Sequence, residues 1–124
     1  MHKIPAFCTF VVACAAALSA TTQPEVHLIG LSLPKAKAAL VSAGWRPVES
    51  TKRMADGALE KEFGDANLLL LAGYTEVESC TGTSLNFCRL NYLRDAQCLT
   101  LVTQGEWYPP NGIPKVHHIE VVCP

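Results

Sequence analysis

Charged residues are scarce in this chain of 124 residues, at 17% of the total, and neither sign dominates. Ten Lys and Arg stand against eleven Asp and Glu, without a basic stripe. A protein that holds nucleic acid displaces counterions from phosphates with clustered cations, so this balance excludes that partner class. It equally excludes a polybasic hold on anionic lipid. Chemical signatures are missing too. Gly30 and Gly57 stand alone, with no phosphate-cradle spacing. Ser79, Thr83 and Ser84 lack a nucleophile-elbow setting. Cys80, Cys88, Cys98 and Cys123 are separated by seven, nine and twenty-four residues, whereas zinc sites pair their ligands at spacings of about two to four. His117 and His118 are neighbours in a strand-like run, so alternation is expected to send them to opposite faces, where they cannot share one ion. No metal or cofactor is expected.

What the chain does have begins at its amino end. Met1–Ala20 reads MHKIPAFCTFVVACAAALSA, with a weak positive start, an apolar stretch from Ile4 to Leu18, and small residues at Ser19 and Ala20. That order predicts a secretory signal peptide over residues 1–20, cleaved near Ala20. A permanent membrane span is disfavoured by the short length and by Pro5. Val11-Val12-Ala13-Cys14 has the residue types of a lipoprotein site, with Cys14 acylated, and stands as the alternative. Either route ends outside the cytoplasm, in the periplasm or beyond. Residues 21–124 then form one domain of about a hundred residues, a size at which staples help. Its four cysteines predict two disulfides.

Ser32 as cap, Pro34 in the first turn and Gly44 as stop predict a helix carrying Leu33, Ala36, Leu40 and Ala43 on one face. Pro47 limits the following stretch to a sheet edge or a non-strand. A second helical stretch would place Leu59, Phe63, Leu70 and Leu71 on one face, split at Gly64-Asp65, capped by Asp65 and ended by Gly73. The last third alternates in the manner of strands: 86–92, 98–104 and 115–123, with turns at Arg94-Asp95-Ala96 and over 105–114.

An antiparallel meander with Tyr92 opposite Cys98 and Cys98 opposite Cys123 collects an apolar face. That face holds Cys88, Leu90, Tyr92, Cys98, Thr100, Val102, Ile119, Val121 and Cys123, while Arg89, Asn91, His118 and Glu120 turn away. The register brings Cys98 and Cys123 within bridging reach, leaving Cys80 with Cys88 around the Thr81–Ser84 loop. The expected fold is therefore α+β: one or two helices packed on a three-stranded antiparallel meander, with an extra short strand possible near Trp45.

Two resemblances attach to particular segments. Val26–Val48, with Ile29-Gly30-Leu31-Ser32, Ala36, Ala39-Leu40 and Gly44-Trp45, resembles half of a PASTA repeat. That module packs a helix on a small sheet, and in some proteins it contacts cell-wall peptidoglycan. Phe63-Gly64-Asp65-Ala66, Ala72-Gly73-Tyr74, Glu76-Val77-Glu78-x-Cys80-x-Gly82-Thr83, Cys88 and Leu99-x-Leu101-Val102-Thr103-x-Gly105-Glu106 are similar to a group of small exported bacterial proteins of unknown function. That resemblance implies an exported α+β domain and no particular activity.

Two features invite a functional reading. Glu76 and Glu78 flank the cysteine loop, and in an extended stretch both carboxylates would share one side, as an acid/base pair requires. Binding, or holding the loop through hydrogen bonds to Thr81 and Thr83, is the stronger expectation for them. Trp107 and Tyr108 precede Pro109-Pro110-Asn111-Gly112, which makes two aromatic anchors on a stiff loop unless Trp107 folds back over the sheet edge. The sequence points to a non-enzymatic binding or inhibitor module of the cell envelope. Its expected partner is an envelope protein or, as the alternative, a cell-wall glycan, with a small hydrolase built on Glu76 or Glu78 as the third reading.

Overall fold

The computed structural model describes residues 24–50, 64–82, 85–121 and 123. The expected signal segment lies outside them, as do Leu59, Phe63 and Thr83. A 3-10 turn, Pro24–Leu28, leads into helix α1, Leu33–Ser42; strand β1, Arg46–Pro47, precedes helix α2, Asp65–Leu71. Strands β2, Val77–Cys80, β3, Phe87–Arg94, β4, Gln97–Gln104, and β5, Lys115–Glu120, complete the order. Among the described residues the architecture is α+β, with an antiparallel sheet of five strands in place of the three expected. The extra short strand expected as possible near Trp45 is β1, and it and the unforeseen β2 both pair with one edge of β3, whose other edge pairs with β4.

Both helices stop by the same device. Leu40-Val41-Ser42-Ala43-Gly44-Trp45 ends α1, and Leu69-Leu70-Leu71-Ala72-Gly73-Tyr74 ends α2. The Trp45 N–H donates to Leu40 O at 2.9 Å and the Gly44 N–H to Val41 O at 3.0 Å. Tyr74 N donates to Leu69 O at 2.9 Å and Gly73 N to Leu70 O at 3.1 Å. These are Schellman turns, which satisfy two orphan carbonyls and need a left-handed residue after the cap. Gly44 and Gly73 supply it, at φ 92° and 99°. In each case the aromatic that follows is buried next to the leucine that accepts its N–H.

Helix α1 begins as the sequence predicts, after Ser32 and with Pro34 in its first turn. The Ser32 side chain makes no capping bond; the Leu33 N–H donates to Pro114 O at 2.9 Å instead, which fastens the helix start beside β5. In α2, Gly64 takes the cap position and Asp65 is the first helical residue. Its buried face is Ala66 and Leu69, with Leu70 partly buried against the core as expected and Leu71 turned outward at 76% exposure. Helix α2 begins at Asp65, so its apolar face follows from its own phase, and the expected partners Leu59 and Phe63 lie outside the described residues.

The sheet register differs from expectation by one residue on β4. Arg94 pairs with Gln97, leaving a two-residue turn, Asp95-Ala96, with Asp95 left-handed at φ 53°. Tyr92 therefore faces Leu99, not Cys98. The core side of β4 becomes Leu99, Leu101 and Thr103, all without exposure, and Cys98, Thr100 and Val102 move to the other face. Both alternating sets on β4 are largely apolar, so period two alone does not choose between them. The observed set buries Leu99 and Leu101 completely and still leaves Val102 only 9% exposed on the outer side, and the gain scales with apolar area. A second one-residue difference, Leu101 rather than Val102 opposite Ile119, returns Ile119 to the core side as expected. Val121 lies beyond β5 and is 43% exposed.

The core is built from Leu33, Ala36 and Leu40 of α1, Ala66 and Leu69 of α2, and the inner sheet residues Cys88, Leu90, Tyr92, Leu99, Leu101 and Val116, with Trp45 between them. Both helices contribute to this one side. Both expected disulfides are present, Cys80–Cys88 and Cys98–Cys123, with Cα separations of 4.0 and 4.9 Å.

Candidate functional site

The outer face of the sheet carries a groove of about 450 Å³. Its floor is formed by Arg89, Asn91 and Leu93 of β3 with Cys98 and Thr100 of β4. Val48 and Ser50, which follow β1, form one wall; Glu78 of β2 and Glu120 of β5 stand on either side of Arg89. Alternation accounts for the floor. Every second residue of β3 starting at Arg89 faces away from the core, and their partners on β4 do the same.

The polar groups of the groove hold one another. The Asn91 Nδ2 donates to Ser50 Oγ and to Glu78 Oε1, both at 3.0 Å. Thr100 Oγ1 donates to Asn91 Oδ1 at 2.7 Å, and Ser50 Oγ donates to the carbonyl of Val48 at 2.8 Å. Arg89 presents Nη2 and Nη1 to the two oxygens of Glu120, at 2.7 and 3.4 Å, and its Nε lies 3.6 Å from Glu78 Oε2. The bond from Arg89 holds the Glu120 carboxyl below its ordinary range, and the same bond raises the guanidinium further. His118 Nε2 lies 3.6 Å from Glu120 Oε2.

Glu76 and Glu78 are not on one side. The pairing of β2 with β3 shifts between Val77 and Ser79, so strict alternation fails there. Glu78 joins Asn91 and Arg89 on the outer face. Glu76 turns inward and has no exposure. It accepts from the Tyr92 hydroxyl at 2.5 Å, while Lys37 Nζ of α1 approaches its oxygens at 3.1 and 3.3 Å. Lys37 Nζ also lies 4.5 Å from the centre of the Tyr74 ring. Burial first, and the Glu76 charge second, push the Tyr92 phenol far above its usual range and Tyr74 in the same direction. The two carboxylates thus belong to separate environments, so the arrangement that the third reading, a hydrolase, would need is not assembled.

The aromatic pair also divides. Trp107 folds back, as an edge-to-face partner of Tyr74 at 5.4 Å between ring centres, and packs on the core. Tyr108 remains 65% exposed. Its backbone pairs with Gly112 in both directions at 2.8 Å, closing a small hairpin around Pro109–Asn111. The histidines depart from expectation in the opposite sense. A bulge at β5, where the register shifts between Val102 and Thr103, disrupts the alternation. His117 packs against Phe87 and His118 approaches Glu120, so both lie against outer-face residues. Among the described residues, no three His, Cys, Asp or Glu gather as a metal site.

Asp65, expected as a helix cap, and Asn86, expected to open a strand, organise the loops instead. Asp65 Oδ2 accepts from the Trp107 N–H at 2.8 Å and from Asn86 Nδ2. Asn86, 3% exposed and left-handed at φ 45°, also donates to Gly105 O and accepts from the Gly82 N–H, each at 3.2 Å. This cluster ties α2, the cysteine loop and the loop before β5 together. Asp65 and Trp107 are 42 residues apart in the sequence, and only the fold brings them together. Comparison of the chain with protein families, curated proteins and solved structures returns no match.

Proposed function

We propose that the mature chain works outside the cytoplasm as a non-enzymatic binding module and that the outer-face groove is its recognition surface. The groove is the observation that carries the reading. It offers about 450 Å³ of concave space, within the range of ligand sites, on the side of the sheet opposite the core. Its side chains are pre-set by their mutual bonds and framed by strands, so little ordering is lost on binding. Export is supported by the apolar leader and by the pairing of all four cysteines of residues 21–124 in disulfides. Among the described residues no helix is long and apolar enough to cross a membrane. A binding role rather than catalysis is supported by the separation of Glu76 from Glu78. An envelope protein is the favoured partner.

Immobilised protein, exposed to an envelope extract, tests this directly. Thr100→Trp fills the groove floor, and Tyr108→Ala removes the exposed loop aromatic. Loss of capture with the first variant and retention with the second supports the groove. Unchanged capture by a folded Thr100→Trp protein removes it as the surface. Sedimentation with purified sacculi separates a glycan ligand from a protein one, and intact-mass analysis reads cleavage near Ala20 against acylation at Cys14.

A further inference from the structure

Hydrogen-bond direction across the sheet leaves part of one edge open. The Asn91 N–H donates to Glu76 O, and the Asn91 carbonyl accepts from the Val48 N–H, at 3.1 and 3.0 Å. Odd-numbered residues of β3 thus turn their backbone groups toward β1 and β2, and even-numbered ones turn theirs toward β4. Leu90 pairs with Leu101 and commits the Leu101 backbone to β3. Ile119 stands opposite Leu101 on the other side of β4, so its N–H and C=O point out of the sheet. Val116, opposite Thr103, has the same orientation but is covered: it donates to Leu31 O and accepts from the Gly30 N–H, each at 2.8 Å. The cover ends there, because the chain before Gly30 winds into the 3-10 turn, and the Ile29 N–H donates back to Val26 O. Among the described residues no backbone group answers Ile119 on this side. Val26 and Ile29, in and just after the turn that lies against β5, and Val121, just past the strand, are exposed apolar side chains.

An open edge segment is a template for one more strand, and the flanking side chains select which strand it is. His118 and Glu120, 56% and 36% exposed, stand on either side of Ile119 and share the outer face. We infer that β5 pairs antiparallel with β5 of a second copy of this chain, centred on Ile119, whose N–H and C=O are exchanged between the copies. That register sets His118 of each copy across from Glu120 of the other, in the non-hydrogen-bonded position where side chains come closest. Centring the pair one residue further on, at Glu120, sets two carboxylates face to face, which is unfavourable. The match of imidazole to carboxylate is therefore self-complementary, as a two-fold interface requires. The two-fold axis runs at right angles to the sheet, so the outer faces of both copies lie on one side. The two grooves, each lined by Glu120, then stand side by side. This inference goes beyond the recognition role and does not depend on what the groove holds.

The test uses the full secreted chain with its disulfides intact. Sedimentation velocity from about 10 µM to about 1 mM is expected to show a reversible monomer–dimer equilibrium, as suits a small interface. In a mixture of isotope-labelled and unlabelled chains, filtered NMR should show a contact between Hα of His118 in one copy and Hα of Glu120 in the other. Ile119→Pro deletes the outward N–H without touching the ladder to β4, and it should abolish dimerisation in a chain whose circular dichroism is native. His118→Glu, at an exposed position, keeps the test open if the proline variant does not fold. It should weaken association by about tenfold through two like-charge pairs, and adding Glu120→Lys should restore it. A chain that stays monomeric over the whole range overturns the inference. So does a dimer indifferent to His118→Glu, or one whose contact between copies joins Glu120 to Glu120. A monomer whose Ile119 amide signal shifts only on addition of envelope extract assigns the edge to a partner's strand, and self-pairing falls.

Discussion

The Tyr92 hydroxyl donates a 2.5 Å hydrogen bond to Oε2 of Glu76, a carboxylate with no solvent exposure. Lys37, 26% exposed, supplies the countercharge from α1 at 3.1 Å. The trio joins the helix to β3 and to the turn just before β2 through one buried acid. A buried charge with one partner removed is left under-compensated, which costs more than the partnership itself contributes. Lys37→Met is therefore expected to destabilise the fold by about 3 kcal/mol or more. Tyr92→Phe removes only a charge-assisted hydrogen bond, worth about 2 kcal/mol. Urea unfolding of the two variants checks the order; a Tyr92→Phe protein as stable as the parent would remove the bond from the account.

The same contact fixes behaviour in alkali. In the unfolded chain a tyrosine ionises near pH 10.0, whereas burial and the Glu76 charge hold the Tyr92 proton to higher pH in the native state. The stabilisation is fully present below pH 10.0 and is lost as pH rises above it, because the unfolded chain sheds a proton that the folded chain retains. Tyr74 shifts in the same direction. The urea midpoint is expected to fall progressively above pH 10, and the fall should be shallower in Tyr92→Phe. Ultraviolet titration of the native protein should show the Tyr92 phenol ionising only as the fold is lost.

Local signals were legible where one residue type meets one backbone requirement. Ser32, Pro34 and Gly44 bound α1, and the cysteine pairing emerges even though the register used to reach it is off by one. Register was less legible because β4 has two nearly apolar faces, so the choice falls to leucine volume and to a two-residue turn. The groove was hidden for a related reason. Its floor, Arg89, Asn91 and Thr100, depends on which face of β4 turns outward, and its wall depends on Val48 and Ser50 running beside β3. The fates of Glu76 and Glu78 turn on an irregularity at Val77–Ser79, and those of His117 and His118 on a bulge. Alternation cannot foresee either.

The paired Schellman turns give a controlled comparison. Gly44 and Gly73 are both left-handed, where a Cβ meets its own backbone. Gly73 has nothing within 4 Å of the position a Cβ would take, and at Gly44 the closest atom is Arg94 Cδ at 3.5 Å, an ordinary contact. Backbone strain is thus the main effect at both sites. Gly44→Ala and Gly73→Ala should each cost about 1 kcal/mol. Thermal unfolding measures this, and a cost well above 2 kcal/mol at either site would mean that crowding dominates.

Asp65 predicts an optical signature. Its carboxylate holds the Trp107 N–H and the side chain of Asn86, so removing it unpins the loop that carries Trp107 against Tyr74. Asp65→Ala should destabilise by about 2 kcal/mol, since a carboxylate accepting two N–H groups makes charge-assisted bonds. Trp107 emission should also move to the red as the ring gains water. An unchanged spectrum would show that the contact with Tyr74 suffices to hold the ring.

The disulfides separate local packing from chain entropy. Cys98–Cys123 spans 25 residues and Cys80–Cys88 spans 8. By loop entropy the first stabilises by about 3.5 kcal/mol and the second by about 2.5 kcal/mol. Cys88, however, has no exposure, whereas Cys123 is exposed. Replacing Cys80 and Cys88 together by Ala adds the loss of a buried sulfur, about 1 kcal/mol on area grounds, which brings the two pairs nearly level. They differ in where the effect acts. Removing Cys98–Cys123 frees the longer loop of the unfolded chain, so unfolding exposes more surface and the urea m-value should rise. Removing Cys80–Cys88 should leave m closer to the parent while weakening the native core. Equal m-values for both double-Ala proteins would argue that the longer loop is not constrained mainly through the unfolded state.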